Sequence, residues 1–183
     1  MLLVNMIADA KTQNIILAAT LILGIVSGLG LAASSSYFTG SHSLVTNLEF
    51  DLLEIRVTAL DPTNESINPR VTLVFNAKVL TGSAGEASLT YFRVEVNLNE
   101  EELQYTQTQW RKSVPYADQS LYPGYDTNFT VGETIYDLED KQILYDAEDS
   151  DDWTFSILLV ISYSVFDSES TARYISFYHE GHT

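Results

Sequence analysis

Cysteine is absent from this 183-residue chain, and its absence excludes a disulfide framework, a thiolate metal site and a cysteine nucleophile. Basic charge is scarce as well: 9 Lys and Arg stand against 25 Asp and Glu, a formal net charge of −16. Nucleic-acid backbones are held by clusters of Lys and Arg that release counterions, so a nucleic-acid partner is excluded. Anionic lipid headgroups are poor partners for the same reason. Length limits the chain to one modest domain and an appendage, with no room for separate cofactor and substrate domains. Missing too are a Gly-rich phosphate loop, a nucleophile elbow, a CxxC pair, a heptad run and any repeat of fixed period.

Charge is also missing from one long window. Thr12 to Leu48 holds no Asp, Glu, Lys or Arg, and its centre, Ile15 to Ala33, is almost wholly apolar. About 20 apolar residues cross the roughly 30 Å of a bilayer core as a helix, because a helix satisfies its backbone hydrogen bonds internally. The window therefore divides the chain into a short tail over 1–14, a transmembrane helix over 15–33, a Ser/Thr/Gly connector over 34–46 and a domain over 47–183. Gly24, Ser27, Gly28 and Gly30 leave a thin face on the helix, with Gly24 and Gly28 as candidates for packing against a second helix. Lys11 precedes the run and the next basic residue is Arg56, a bias that puts the N-terminus in the cytoplasm and the domain outside. A signal peptide cleaved after Ser34 is the rival reading; the apolar run exceeds the usual h-region of about 7–15 residues, which favours a retained anchor.

Beyond the connector the pattern alternates with period two, the mark of half-buried strands. Leu53, Ile55, Val57 and Ala59 share one parity, whereas Leu48, Phe50 and Leu52 hold the other, which predicts a bulge near Leu52 and Leu53. Further strands are expected over Val71 to Val79 and Phe92 to Leu98, then as a hairpin from Trp153 to Phe166 and Ala172 to Tyr178. Weaker strand signals lie at Tyr105 to Val114 and Asn128 to Val131, and Ile135 to Ala147 reads as a short helix. The expected fold is mainly β, an N-terminal transmembrane helix followed by an antiparallel, immunoglobulin-like β-sandwich.

In its layout, and in Leu52 to Val57, Asn68 to Val79 (NPRVTLVFNAKV) and Phe92 to Leu98, the chain resembles membrane-anchored proteins of the WHy and late-embryogenesis-abundant type. That resemblance implies a non-enzymatic β-sandwich with an adhesive, protective or structural role.

Candidate chemistry is sparse. Three histidines are available, His42 in the connector and His179 and His182 at the C-terminal edge, and His179-Glu180-Gly181-His182 lacks the HExxH spacing of a helical zinc site. Asp146, Glu148, Asp149, Asp151 and Asp152 could collect oxygen ligands for a structural Ca²⁺, against the plainer reading of a solvated acidic loop. Asn64-Glu65-Ser66 and Asn128-Phe129-Thr130 are glycosylation sequons, expected in turns or loops and outside the membrane. Tyr105, Trp110, Tyr116, Tyr122 and Tyr125 crowd one Pro- and Gly-containing stretch, as a protein-binding surface or as a rim packed on its own loops.

The expected function is that of a binding, structural or accessory subunit of a membrane assembly, without catalysis or cofactor, partnered by lipid through residues 15–33 and by another protein or further copies of itself. Two other classes stay open: a pilin-like filament subunit whose apolar helix forms the fibre core, and a glycan hydrolase using paired surface carboxylates.

Overall fold

A computed structural model describes the backbone of residues 2–14 and all of 15–103, 110–166 and 169–183. It opens with one helix, α1, over Leu2–Thr46. The expected connector at 34–46 is thus corrected: it is not a linker but the last turns of this helix. The first proline of the chain is Pro62, so nothing breaks the helix earlier. Ser and Thr ordinarily favour turns because their hydroxyls compete for the backbone. Here those hydroxyls turn back onto their own helix, Thr39 Oγ1 donating to the Ser35 carbonyl at 2.9 Å and Ser41 Oγ to that of Tyr37 at 2.9 Å.

Asn47 ends α1, its amide nitrogen donating to both Ser43 Oγ and the Thr81 carbonyl at 3.0 Å, and a strand follows at once. The strands are β1 Leu48–Thr58, β2 Arg70–Val79, β3 Ala87–Leu98, β4 Glu101–Glu102, β5 Arg111–Ser113, β6 Asp126–Thr134, β7 Thr154–Val165 and β8 Thr171–Glu180. Short α2, Tyr116–Gln119, precedes β6, and α3, Leu138–Ser150, precedes β7. One sheet runs β1-β2-β6; the other runs β4-β3-β7-β8, with β5 also paired to β3, and every pairing is antiparallel. The parity switch read near Leu52 is a register shift between Leu52 and Glu54. The helix read at Ile135 to Ala147 is α3, starting later because Asp137 caps it by accepting the Glu139 N–H at 2.8 Å.

Alternation does the packing. Val71, Leu73, Phe75, Ala77 and Val79 of β2 are buried, as are Phe92, Val94, Val96 and Leu98 of β3 and Phe155, Ile157, Leu159 and Ile161 of β7. The two sheets share this core: Phe92 of one meets Phe129 of the other at 4.7 Å between ring centroids, and Phe75 meets Phe177 at 5.6 Å. The C-terminus crosses between the sheets, the Thr183 N–H donating to the Ile55 carbonyl at 2.9 Å and the Val57 N–H to that of Thr183 at 3.2 Å.

The register gives the domain two ends. Leu48 pairs with Val79 and Ala87 with Val165, so the end of α1, the β2–β3 connection, the last residues of β7 and the first of β8 lie together at one end. Asn97 pairs with Ser156 and Arg70 with Thr134, which puts residues 59–69, the β3–β4 turn and α3 at the other. Ten-residue strands separate these ends by roughly 33 Å.

Candidate functional site

The feature that distinguishes this molecule is the junction where α1 enters the near end of the domain. Residues 15–36 of α1 are exposed on every side, yet Ser41, Leu44 and Val45 are buried by the sheets. The junction is a backbone-to-backbone fit. A Cβ placed on Gly85 would lie 2.2 Å from the Ser41 nitrogen, and one on Gly40 would lie 2.2 Å from the Ala84 carbonyl oxygen. Only glycine permits this approach. Ser41 Oγ accepts the Glu86 N–H at 2.7 Å just before β3, while Arg173 of β8 donates to the Val45 carbonyl at 3.4 Å and to the Leu48 carbonyl at 2.7 Å, so the β3-β7-β8 sheet holds the helix end. Leu44 is fully buried beneath Gly82, its Cδ2 3.1 Å from a Cβ at that position.

An aromatic group borders the junction on its N-terminal side. Phe166, at the end of β7 with a left-handed φ of 54°, stacks on Phe38 at 5.6 Å and tilts against Tyr37 at 5.9 Å. His42 completes the group, its ring 4.5 Å from that of Phe38. Across from Tyr37, a cleft of about 290 Å³ is closed by Tyr116, Gln119 and Leu121.

The helix-packing glycines read from the sequence behave differently from those in the junction. Among the described residues, nothing lies within 4 Å of a Cβ placed on Gly24 or Gly28. Gly40 and Gly85 carry the close packing instead. Gly40 lies in the segment read as a connector and Gly85 between two expected strands, and only the fold brings those segments together.

The acidic run is corrected from a loop to the last turns and cap of α3. Asp146, Glu148 and Asp149 are helical, and Asp151 is the left-handed C-cap with φ 53°. Among the described residues no three His, Asp or Glu side chains stand close enough to hold a metal ion. His182 packs on Trp153 at 4.0 Å, and His179 is half-buried on β8 opposite Phe155.

The aromatic stretch, read as a binding surface or as a rim packed on its own loops, divides between the core and the surface. Trp110 and Tyr125 are core residues, each 2% exposed, whereas Tyr116 at 91% and Tyr122 at 54% face outward. Tyr105 lies outside the described residues. The Tyr125 hydroxyl donates to the Asp118 carbonyl at 2.7 Å, and burial pushes this phenol up to about 12. Asn64 sits in a turn as expected, its Oδ1 accepting the Ser66 N–H at 3.2 Å. Asn128, expected in a loop, is instead on β6 with an exposed side chain that accepts from Asn76 at 2.9 Å.

The perturbed charges elsewhere are surface pairs. A hydrogen bond from Arg56, with a further one from Thr183, holds the Glu54 carboxyl below its usual range. The Asp51 carboxylate beside Lys78 raises that ammonium. Both pairs lie on β1 and β2 and face solvent.

No family model matches the chain, and no curated protein matches it. Three solved structures are similar over part of their course. A protein from Archaeoglobus fulgidus aligns with 11% identity and TM-score 0.45, covering 73% of this chain and 98% of that one. A Northeast Structural Genomics Consortium target aligns with 8% identity and TM-score 0.44, covering 72% and 84%. The putative ApaA protein from Bordetella pertussis aligns with 12% identity and TM-score 0.42, covering 72% and 92%.

Proposed function

We propose that this chain is a single-pass membrane protein that carries an immunoglobulin-like β-sandwich on a retained helical anchor. The anchor lies in lipid over residues 15–33 with its N-terminus in the cytoplasm, and the domain stands outside the cell. The domain works by binding or assembly, as an accessory or structural subunit, and not by catalysis. One observation carries this reading: α1 is long and apolar enough to cross a membrane, with a mean hydropathy of 2.4 and none of its most apolar stretch buried within the protein. Large apolar residues left uncovered on all sides of a helix have no place in water. Nearly all of them belong in hydrocarbon, while the −16 domain that follows stays hydrated.

The glued junction gives the anchor its purpose. A flexible linker would let the domain tumble; a helix locked by Gly40 and Gly85 holds one face of the domain toward the membrane and the other toward a partner. That partner is another protein, either a larger membrane complex or further copies of this chain. Asn64 and Asn128, both exposed, are the positions for glycans on the outer side. The likeness in pattern to membrane-anchored proteins of the WHy type supports the same non-enzymatic role.

The test is extraction. Full-length protein should stay with membranes in alkaline carbonate and leave with mild detergent, with the domain cut by protease added outside intact cells. Mass spectrometry of the mild-detergent extract identifies what accompanies it. Release by carbonate overturns the anchor.

The unbroken length of α1 also favours a second reading, a filament subunit whose exposed helical half bundles with its copies in a fibre core. Mature chains beginning near Thr12, with fibres visible by electron microscopy, would select it over the single-pass form.

A further inference from the structure

We propose that the near end of the domain is itself a membrane-contacting surface, a collar of Tyr37, Phe38, Leu80, Tyr116 and Tyr122 seated in the headgroup layer of a zwitterionic bilayer. This rests on the anchor reading above.

The level of the collar follows from the helix. If the hydrocarbon covers residues 15–33, the rise of about 1.5 Å per residue puts Tyr37 and Phe38 roughly 6–8 Å beyond its edge, at headgroup depth. The domain reaches down to that same level. Phe166 stacks on Phe38, and Tyr116 closes the cleft whose other wall is Tyr37. Tyr122 and Leu80 lie at the same end: Leu80 follows Val79, the partner of Leu48 at the root of β1, and the Gly124 N–H donates to the Val79 carbonyl at 2.8 Å. The domain therefore meets the membrane plane with its lower rim and not only through its stalk.

Exposed rings also stand at Tyr136 beyond β6 and at Tyr174 and Tyr178 on β8, but those of the near end are continuous with the lipid helix. Tyr116 is 91% exposed, Leu80 66%, Tyr122 54%, Phe38 53% and Tyr37 44%. Tyrosine is enriched at both membrane surfaces because its ring sits among acyl carbons while its hydroxyl stays with water and headgroups.

Charge is sorted along the same axis. The near-end stretches 80–86, 115–125 and 169–170 contain Glu86, Asp118 and Glu169 and no Lys or Arg, so nothing there would select anionic lipid. The far-end stretches 59–69, 99–103 and 135–153 contain thirteen Asp and Glu against the single Lys141. The strand length of roughly 33 Å separates that charge from the membrane by more than three Debye lengths. A charge distribution serving solubility alone needs no such polarity. An apolar, aromatic end contiguous with the lipid helix and an acidic end remote from it fit a domain standing on a bilayer.

Because the chain has no cysteine, single labels test this in the full-length protein. Ser83→Cys and Ala117→Cys place a fluorophore at exposed positions on the rim without removing any collar residue, Asp149→Cys places one at the far end, and Leu23→Cys places one in the anchor. The variants are reconstituted in phosphatidylcholine nanodiscs carrying a lipid quencher at headgroup depth. The two rim labels should be quenched at least about twofold more than the Asp149→Cys label, as interfacial side chains are. Tyr116→Ser with Tyr122→Ser should then lower quenching at Ala117→Cys. Rim labels quenched no more than the far-end label, with the Leu23→Cys label quenched by a deep lipid probe, would overturn the collar and leave the anchor standing. A Leu23→Cys label untouched by the deep probe would overturn the anchor, and the collar with it.

Discussion

The two halves of α1 both carry glycine and lack charge, and yet they are held by different things. Residues 15–36 are bare, and residues 40–46 are locked into the sheets. In the bare half, glycines at 24 and 28 touch nothing; in the locked half, Gly40 is pressed against a facing backbone. Neither half carries Asp, Glu, Lys or Arg and both contain Gly and Ser, although 15–36 is dominated by aliphatic residues and 40–46 holds one Leu and one Val. What separates them is which surface the fold brings alongside. A small residue in an apolar helix is therefore a permission to approach, used only where a neighbour arrives.

Paired substitutions make that difference measurable. The largest effect is expected at the glycine contact: Gly85→Val forces a side chain into the Ser41 backbone and should destabilise the domain by roughly 3 kcal/mol or more, the upper range for overpacking. Gly24→Val should leave the melting temperature of the detergent-solubilised domain unchanged. Equal shifts for both would erase the distinction between the halves.

Next comes side-chain burial. Leu44→Ala leaves a cavity at a fully buried position and should cost about 2–5 kcal/mol by denaturant unfolding. Leu23→Ala should cost the domain nothing and reduce membrane insertion by under about 1 kcal/mol.

A smaller effect belongs to the hydroxyls. Ser41→Ala strands the Glu86 N–H and should cost about 1–2 kcal/mol, whereas Thr20→Ala loses only an exposed bond to the Ile16 carbonyl and should be silent in the same assay.

The mildest prediction is a pH dependence at the near end. Tyr125 keeps its proton in the folded protein up to about 12, while unfolded tyrosine gives its proton up near 10.0. Between those values the folded state binds more protons than the unfolded, so stability should fall as pH rises through that window and stay flat below it. Tyr125→Phe should remove this alkaline slope, followed by urea unfolding from pH 9 to 12 at about one-unit steps.

Much of the fold was legible. The alternation of Val71, Leu73, Phe75, Ala77 and Val79 announced β2 because a half-buried strand must repeat with period two. The same logic found the irregularity near Leu52, where two parities collide. Legibility failed where a residue's preference depends on its neighbour in space. Ser34 to Thr46 reads as a linker by composition but is helix, the hydroxyls of Thr39, Ser41 and Thr46 bonding back to the preceding turn. Trp110 and Tyr125 were grouped with Tyr116 and Tyr122 in one stretch, read as a binding surface or as a packed rim, since ring content alone says nothing about which side of a loop is covered. Gly40 and Gly85, the glycines that close the junction, carry no periodic signal at all.

By itself the sequence determined an uncharged apolar segment, a strand-rich acidic remainder and the turn positions between strands, since these depend on hydropathy, on periodicity and on the local chemistry of Gly, Pro, Asn and Asp. Tertiary structure alone decided that helix and domain are one continuous piece, that two glycines 45 residues apart lie in contact, and that Tyr37, Phe38, Tyr116 and Tyr122 share the end where the helix enters. The physical reason is that register and strand order, which no local pattern encodes, determine which loops share an end and which backbones meet.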